Sequence, residues 1–344
     1  MITSDISNRV RRDIVNGRFS LNAKLPTREE FSRTYGASKA TVQKALATLE
    51  DEGFVVSRGT RGTFINPKSP NLTNIAVLIP VKENQLSIHG GLFNLLHQQH
   101  QNLERHTGKF LRYFYIDEEQ RIQDDFKKVA EEARYTRLSG VIFPFAPRPW
   151  MLEPFQKNHI PVVAFTDEHV NDASTVWIDY TGFMHLALEF CQSQGCRQPK
   201  LLSTFTLPYH YIEDYLNIAR QYGFPDTQET VLPLPLQYSL PWLKHCLQIF
   251  LNTPGKADAI ILNDETMLEH TLRVLLELGA VPGKDLTLVS HRTFPAANTP
   301  ILPVACIGFD LYEIIDSCLK ALGKLRRDKK NTEKFIIVNA KKEV

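Results

Sequence analysis

From residue 75 onward, short apolar runs alternate with helix-length amphipathic stretches, and this restricts the fold more than any other feature of the 344-residue chain. The runs lie at 75–79, 110–116, 140–143, 161–165, 175–178, 200–203, 258–262, 286–290, 304–307 and 335–339. Stretches at 91–106, 119–135, 180–194, 239–252, 265–279 and 310–327 have helical length and spacing. Strands that are apolar on both faces need cover on both, which crossover helices supply, so the pattern predicts parallel sheets of an α/β protein. About ten strands over some 270 residues make one large sheet or two smaller ones.

The first 66 residues follow another rule. Ile6, Val10 and Ile14 recur every four residues and give a helix one apolar face, which Gly17 stops. Thr27 and Glu30 have the spacing of a capping box, so a second helix begins there, with Phe31 and Tyr35 on its buried side and Gly36 at its end. Ser38 can cap a third helix reaching about Glu52, in which Val42, Leu46 and Leu49 face inward. Two helices joined by so tight a glycine turn form a helix-turn-helix. Burial of that face leaves Lys39, Ala40, Thr41, Gln43 and Lys44 pointing outward near the N-terminus of helix three, where a recognition helix meets the major groove. Residues 54–58, the turn Gly59-Thr60-Arg61-Gly62 and residues 63–65 read as strand, turn and strand, a wing with Arg58 and Arg61 at or near its tip.

Charge agrees with that reading. Residues 1–68 hold 12 Lys/Arg against 7 Asp/Glu, net +5, and the remainder holds 28 against 31, net −3. A compact basic head suits a polyanion, because phosphate contacts release counterions. Asn66-Pro67-Lys68-Ser69-Pro70-Asn71 then reads as an extended connector.

Leu25-Pro26-Thr27-Arg28-Glu29-Glu30-Phe31, Gly36-Ala37-Ser38-Lys39-Ala40-Thr41-Val42-Gln43-Lys44-Ala45-Leu46, Leu49-Glu50-Asp51-Glu52-Gly53-Phe54 and Arg61-Gly62-Thr63-Phe64-Ile65 together resemble the DNA-binding domain of the GntR family. The resemblance implies that Arg28, residues 38–43 and Gly62 approach double-stranded operator DNA. The family often has Arg where Lys39 and Gln43 stand; Lys lacks the bidentate fork that reads guanine, and Gln pairs better with adenine.

In the rest of the chain, Val176-Trp177-Ile178-Asp179-Tyr180-Thr181-Gly182, residues 257–265 and residues 279–286 resemble the effector domain of the LacI family, which is similar to periplasmic sugar-binding proteins. The expected fold is therefore α/β: a winged helix-turn-helix (1–66), a linker (67–73) and a two-lobed periplasmic-binding-protein-like effector domain (74–344). A GntR-type reader joined to a LacI-type sensor is the arrangement of arabinose-responsive AraR-type regulators. The resemblance implies a small-molecule effector, a sugar or sugar derivative, bound between two lobes by loops at 80–91, 144–150, 166–169, 203–211, 263–266 and 291–294. These loops offer aromatic faces in Phe145, Trp150, Tyr209 and Tyr211, and hydroxyl-binding groups in Arg148, Asp167, Asn263, Asp264 and Arg292. Tyr211 stands where the family usually has arginine and Arg292 where it usually has an acid, so a carboxylate or phosphate on the ligand is favoured.

Other classes fit less well. Five cysteines without a C-x-x-C pair point to reduced thiols in a cytoplasmic protein. No apolar run reaches the length of a membrane span, and the N-terminus lacks the apolar core of an export signal, so no membrane association is expected. His97, His100 and Glu104 have a spacing compatible with a metal, but without a second ligand cluster they read as a solvated face, and the basic run from Lys324 to Lys330 reads as a helix end. Residues 279–284 lack the spacing of a phosphate loop, and neither a G-x-S-x-G elbow nor an H-E-x-x-H pair occurs. An enzyme fused to a DNA-binding head would need a longer chain and a cofactor lysine, and a transport protein would need an export signal. The expectation is a non-enzymatic, ligand-responsive repressor without cofactor or metal that acts as a homodimer.

Overall fold

The computed structural model describes residues 3–15, 18–20, 22–66, 74–81, 91–116, 124–134, 138–168, 170–171, 173–204, 209–234, 239–296, 298–327 and 335–342. The linker expected at 67–73 and most of the loop expected at 80–91 lie outside these residues.

Three helices and a two-stranded sheet make up the N-terminal part: α1 (Thr3–Val15), α2 (Arg28–Tyr35), α3 (Lys39–Asp51), β1 (Val55–Ser57) and β2 (Thr63–Ile65). Ile6, Val10, Ile14, Phe31, Val42, Ala45, Leu46, Leu49 and Ile65 close a core of their own. One buried cation crosses it. The Arg11 guanidinium donates to both carboxylate oxygens of Glu52, with Nε to Oε2 at 2.9 Å and Nη2 to Oε1 at 2.6 Å, and lies 5.6 Å from the Phe54 ring centroid. This ties α1 to the end of α3. Gly36, at φ +59°, turns α2 into α3 in the left-handed region that glycine enters without a Cβ penalty.

Among the described residues the body has two six-stranded sheets, and the chain divides into two compact units. The first unit comprises residues 1–83, 99–177 and 315–336; the second comprises 84–98, 178–314 and 337–344. In the first sheet, β3 (Asn74–Ile79), β4 (Phe110–Tyr115), β5 (Gly140–Phe143), β6 (Val162–Thr166), β7 (Ser174–Ile178) and β13 (Phe335–Val338) lie in the order β13-β7-β6-β5-β3-β4. In the second, β8 (Pro199–Thr204), β9 (Val231–Leu234), β10 (Ala259–Leu262), β11 (Thr287–Phe294), β12 (Ala305–Asp310) and β14 (Lys341–Lys342) lie in the order β14-β12-β11-β10-β8-β9. The five strands β3 to β7 pair in parallel, as do β8 to β12, and β14 runs antiparallel on β12. Both sheets thus share one winding: the second strand lies outside the first, and the third lies on the first strand's other side. The direction in which strands are added reverses between β3 and β5 and again between β8 and β10, and in open α/β sheets ligands settle beyond the carboxyl ends of the strands at such switch points.

The helices are α4 (Gly91–Gln98), α5 (His100–Thr107), α6 (Asp124–Arg134), α7 (Pro149–Lys157), α8 (Tyr180–Ser193), α9 (Tyr209–Gln221), α10 (Leu240–Asn252), α11 (Leu268–Glu277) and α12 (Leu311–Arg327). The single helix expected at 91–106 is two, parted at Gln99. The loop expected at 144–150 gives way to α7 at Pro149, which stands at the first helical turn, where a missing N–H costs nothing. The strand expected at 286–290 continues to Phe294, because its register with β12 holds from Val289 to Phe294. No helix among the described residues is long and apolar enough to cross a membrane, and no group of three or more His, Cys, Asp or Glu among them could hold a metal. Glu104 Oε1 accepts from Leu111 N at 2.9 Å, a structural bond.

Candidate nucleic-acid interface and effector-facing residues

Local capping fixes the helix-turn-helix. Thr27 Oγ1 accepts from Glu30 N at 3.3 Å while Glu30 Oε2 accepts from Thr27 N at 2.7 Å, the reciprocal pair of a capping box. Ser38 Oγ accepts from Thr41 N at 3.1 Å and starts α3. With Val42, Ala45, Leu46 and Leu49 buried, Lys39, Ala40, Gln43 and Lys44 are exposed and Thr41 is half-buried. These five and Ser38 share the first two turns of α3, and exposed Arg28 is the first residue of α2. Lys39 is engaged already: its ammonium donates to Glu29 Oε1, and that bond, with the lysine's charge, holds the Glu29 carboxyl below the usual range.

In the wing, β1 and β2 pair antiparallel with Val56 opposite Phe64. A single 3₁₀ turn, Gly59–Arg61, joins them and leaves Arg61 exposed. Arg58 turns back over the sheet, its guanidinium 4.7 Å from the Phe64 ring centroid. Gly62 has φ +105°, outside the range of ordinary L side chains.

The residues expected to face an effector fall on both units. In the first, Phe145 and Trp150 are half-buried against the sheet core: Phe145 meets Phe143 edge-on at 5.5 Å and Trp150 meets Phe126 at 5.1 Å. Arg148 is exposed at the cap of α7, and half-buried Asp167 follows β6. In the second, Asn263 is buried just beyond β10, its Nδ2 donating to Ser203 Oγ at 3.2 Å. Asp264 Oδ1 caps the next turn, accepting from Thr266 N at 2.9 Å and from its hydroxyl at 2.7 Å. Tyr211, on the first turn of α9, is 2% exposed and packs edge-on to Tyr180. Tyr209 opens the same helix; its side chain lies outside the described residues. Arg292 lies inside β11, half-buried, with Nη2 donating to Asn298 O.

Two further groups went unmarked in the sequence. Glu265 accepts from Thr293 N at 2.9 Å and Thr293 Oγ1 at 2.8 Å, and burial raises its pKa against those bonds. A Cβ built on Gly91 would fall 2.1 Å from the Glu265 carboxyl, so a side chain at the start of α4 would push that carboxyl from its place. His291, next to Arg292, is buried between Tyr180, Phe183 and Phe309, and burial pulls its pKa down to about 4. Among the described residues its Nε2 has no hydrogen-bond partner. Glu265 follows the Asn263-Asp264 pair directly, so its neighbourhood was legible, but nothing in the local pattern marks His291.

Residues 2–65 match the family model of bacterial regulatory proteins of the gntR family. The three helices, cap pairs and wing fall within that match. The N-terminal part is a GntR-family helix-turn-helix domain. Through this GntR-family domain the chain is 43% identical over 60 residues to the uncharacterized HTH-type transcriptional regulator YurK, and 33% identical over 61 residues to the HTH-type transcriptional repressor NagR, both of Bacillus subtilis (strain 168). These stretches are 17% and 18% of this chain and 24% and 25% of the relatives, so the chain matches about a quarter of their length. Behind the GntR-family domain the fold is that of LacI-family regulators. A LacI-family regulatory protein from Chloroflexus aggregans superposes with TM-score 0.63 at 17% identity, covering 79% of this chain and 97% of that one. A LacI-family regulator from Enterococcus faecium with bound ribose gives 0.60 at 16% identity over 79% and 97% of the two chains. The regulator CelR in complex with cellobiose gives 0.59 at 14% over 93% and 99%. The matched family and these structures are transcription regulators; at such identities the structures establish the fold alone.

Proposed function

We propose that the chain is a ligand-responsive transcription regulator that binds double-stranded operator DNA through its GntR-family domain and represses genes of sugar or sugar-acid metabolism. The observation that carries the reading is the joining, in one chain, of a GntR-family domain to a body with the LacI-regulator fold. The first two turns of α3, Ser38 to Lys44, enter the major groove; Arg28 and the wing residues Arg58, Arg61 and Gly62 grip the flanking backbone. Two copies act as a homodimer, since paired recognition helices read half-sites about one helical turn, roughly 34 Å, apart.

The effector is a small polyhydroxylated molecule; the groups proposed to contact it follow β5 (Phe145, Arg148, Trp150) and β6 (Asp167) in the first unit and β10 (Asn263, Asp264) in the second, which also carries Tyr209, Tyr211 and Arg292. Aromatic faces cover the CH surfaces of a sugar ring while the polar groups bond its hydroxyls. Arg292 gives the site a cation, which selects for an acidic ligand. Effector binds one conformation of the body more tightly than the other, and that difference is the energy available to release DNA.

A gel shift of the intact protein on its own upstream region, repeated with neutral sugars and with sugar acids, tests this. Retardation relieved by one compound class supports the reading; a shift that no compound changes, in a protein that no compound stabilises thermally, contradicts the effector half of it.

A further inference from the structure

The segment linking α1 to α2 is part of the wing. Leu25 N donates to Thr63 O at 2.8 Å, Ile65 N donates to Ala23 O at 2.9 Å, and Lys24 pairs with Phe64 as an antiparallel bridge. Residues 23–25 thus form an edge strand on β2, opposite β1. Residues directly opposite one another across a sheet share a face, so Val56, Phe64 and Lys24 form one row. Arg58 already lies over the Phe64 ring in that row.

The lysine's stem runs toward the wing turn. A Cβ built on Gly62 would fall 2.7 Å from Lys24 Cε and 3.5 Å from its Nζ, so the stem crosses the glycine and its ammonium sits beside the turn that carries Arg61. Glycine at position 62 is demanded by its φ of +105°; the lysine stem lies alongside it. The charge of Glu30 reaches Lys24, but that carboxylate accepts from both the amide and the hydroxyl of Thr27 and stays in the capping box.

We propose that Lys24, with Arg58 and Arg61, makes the wing a three-cation surface for the DNA backbone. The inference deepens the operator-binding reading and rests on it. A compact, exposed ammonium at the end of a four-carbon stem suits a phosphate contact, which adds affinity without sequence preference.

The test is fluorescence anisotropy of the full chain on a duplex from its own upstream region and on a scrambled duplex, from 50 to 300 mM KCl, for wild type, Lys24→Gln and Lys24→Arg. Each phosphate that is no longer neutralised lowers the slope of log affinity against log salt by about 0.9. Lys24→Gln is expected to show that decrement on both duplexes with an unchanged melting temperature, and Lys24→Arg to keep the wild-type slope. A wild-type slope in Lys24→Gln, where the wild type itself binds with salt sensitivity, overturns the inference and leaves the regulator reading standing. A wild type without salt-sensitive binding to either duplex overturns both.

Discussion

Lys39, the first residue of α3, is ion-paired with Glu29 of the preceding helix, so the cation that opens the helix proposed to enter the groove carries its own counter-charge. Both side chains are more than half exposed, at 65% and 61%, so the pair is weak and easily opened. In the proposed complex this pair works as a filter, Lys39 leaving Glu29 only for a stronger acceptor. Glu29→Gln should therefore tighten DNA binding about two- to fivefold at low salt, the scale of an exposed ion pair, and more on scrambled than on operator duplex. An equal or weaker affinity of the variant on both duplexes would refute this role.

Arg11 and Glu52 form the opposite kind of pair. The Arg11 side chain is 7% exposed and that of Glu52 is 35%, so removing the carboxylate leaves a buried cation on α1 with the neutral Asn8 Oδ1 still accepting from it and little water to help. Glu52→Gln should destabilise the GntR-family domain by about 2 kcal/mol, below the range for fully buried pairs because Glu52 is partly wet. Hydrogen exchange of peptides within residues 3–65 reads this as roughly 30-fold faster opening, with the body unchanged. Unchanged protection there would show that the pair adds nothing.

The N-terminal part was legible almost residue by residue because its signals are local. Thr27, Glu30, Ser38 and Gly36 act through bonds spanning three or four residues, and a capping box looks the same in sequence as in space. The parallel sheets were legible for a similar reason, since runs such as Ile75 to Ile79 bury both faces. Proline hid two elements: β9 has Pro233 within it, tolerated at the sheet's edge, and α7 has both Pro149 and Pro154. The residues expected to face an effector were the least legible. Whether Arg292 belongs to a loop or a strand depends on where β12 pairs, which is a long-range fact. Tyr211 reads as an exposed aromatic until Tyr180, 31 positions away, is seen to cover it.

His291 gives the body a pH dependence of definite sign. Its pKa falls from the ordinary 6.5 to about 4 on burial, so between those values the unfolded chain takes up a proton that the folded chain refuses. Stability is therefore fully present above pH 6.5, declines as pH drops through that window, and levels off below about 4, a total of about 3 kcal/mol. Glu265 acts with opposite sign: its raised pKa contributes stability at low pH that is lost as pH rises. Urea denaturation of wild type and His291→Phe at pH 7 and 4.5 separates the two. The variant should lose less stability on acidification, by about 2 to 3 kcal/mol; equal losses would contradict the assignment.

Arg292 tests the ligand class. Its guanidinium already serves Asn298 O and acts electrostatically on Glu265, and an incoming carboxylate would add a charge-assisted bond. Arg292→Ala should lower affinity for acidic sugars about tenfold or more while leaving neutral sugars within about threefold, measured by calorimetry. An unchanged preference in the variant would remove the argument for an acidic effector.

The central claim is that α3 and the wing grip duplex DNA. Its most direct test is the affinity of the intact protein for a duplex from its own upstream region, measured by anisotropy at 50, 100 and 200 mM KCl beside a Gln43→Ala/Lys44→Ala variant. The account predicts a linear fall of log affinity with log salt, and a variant that loses both affinity and discrimination against scrambled duplex. Binding absent at every salt concentration, or equal in wild type and variant on both duplexes, would contradict it.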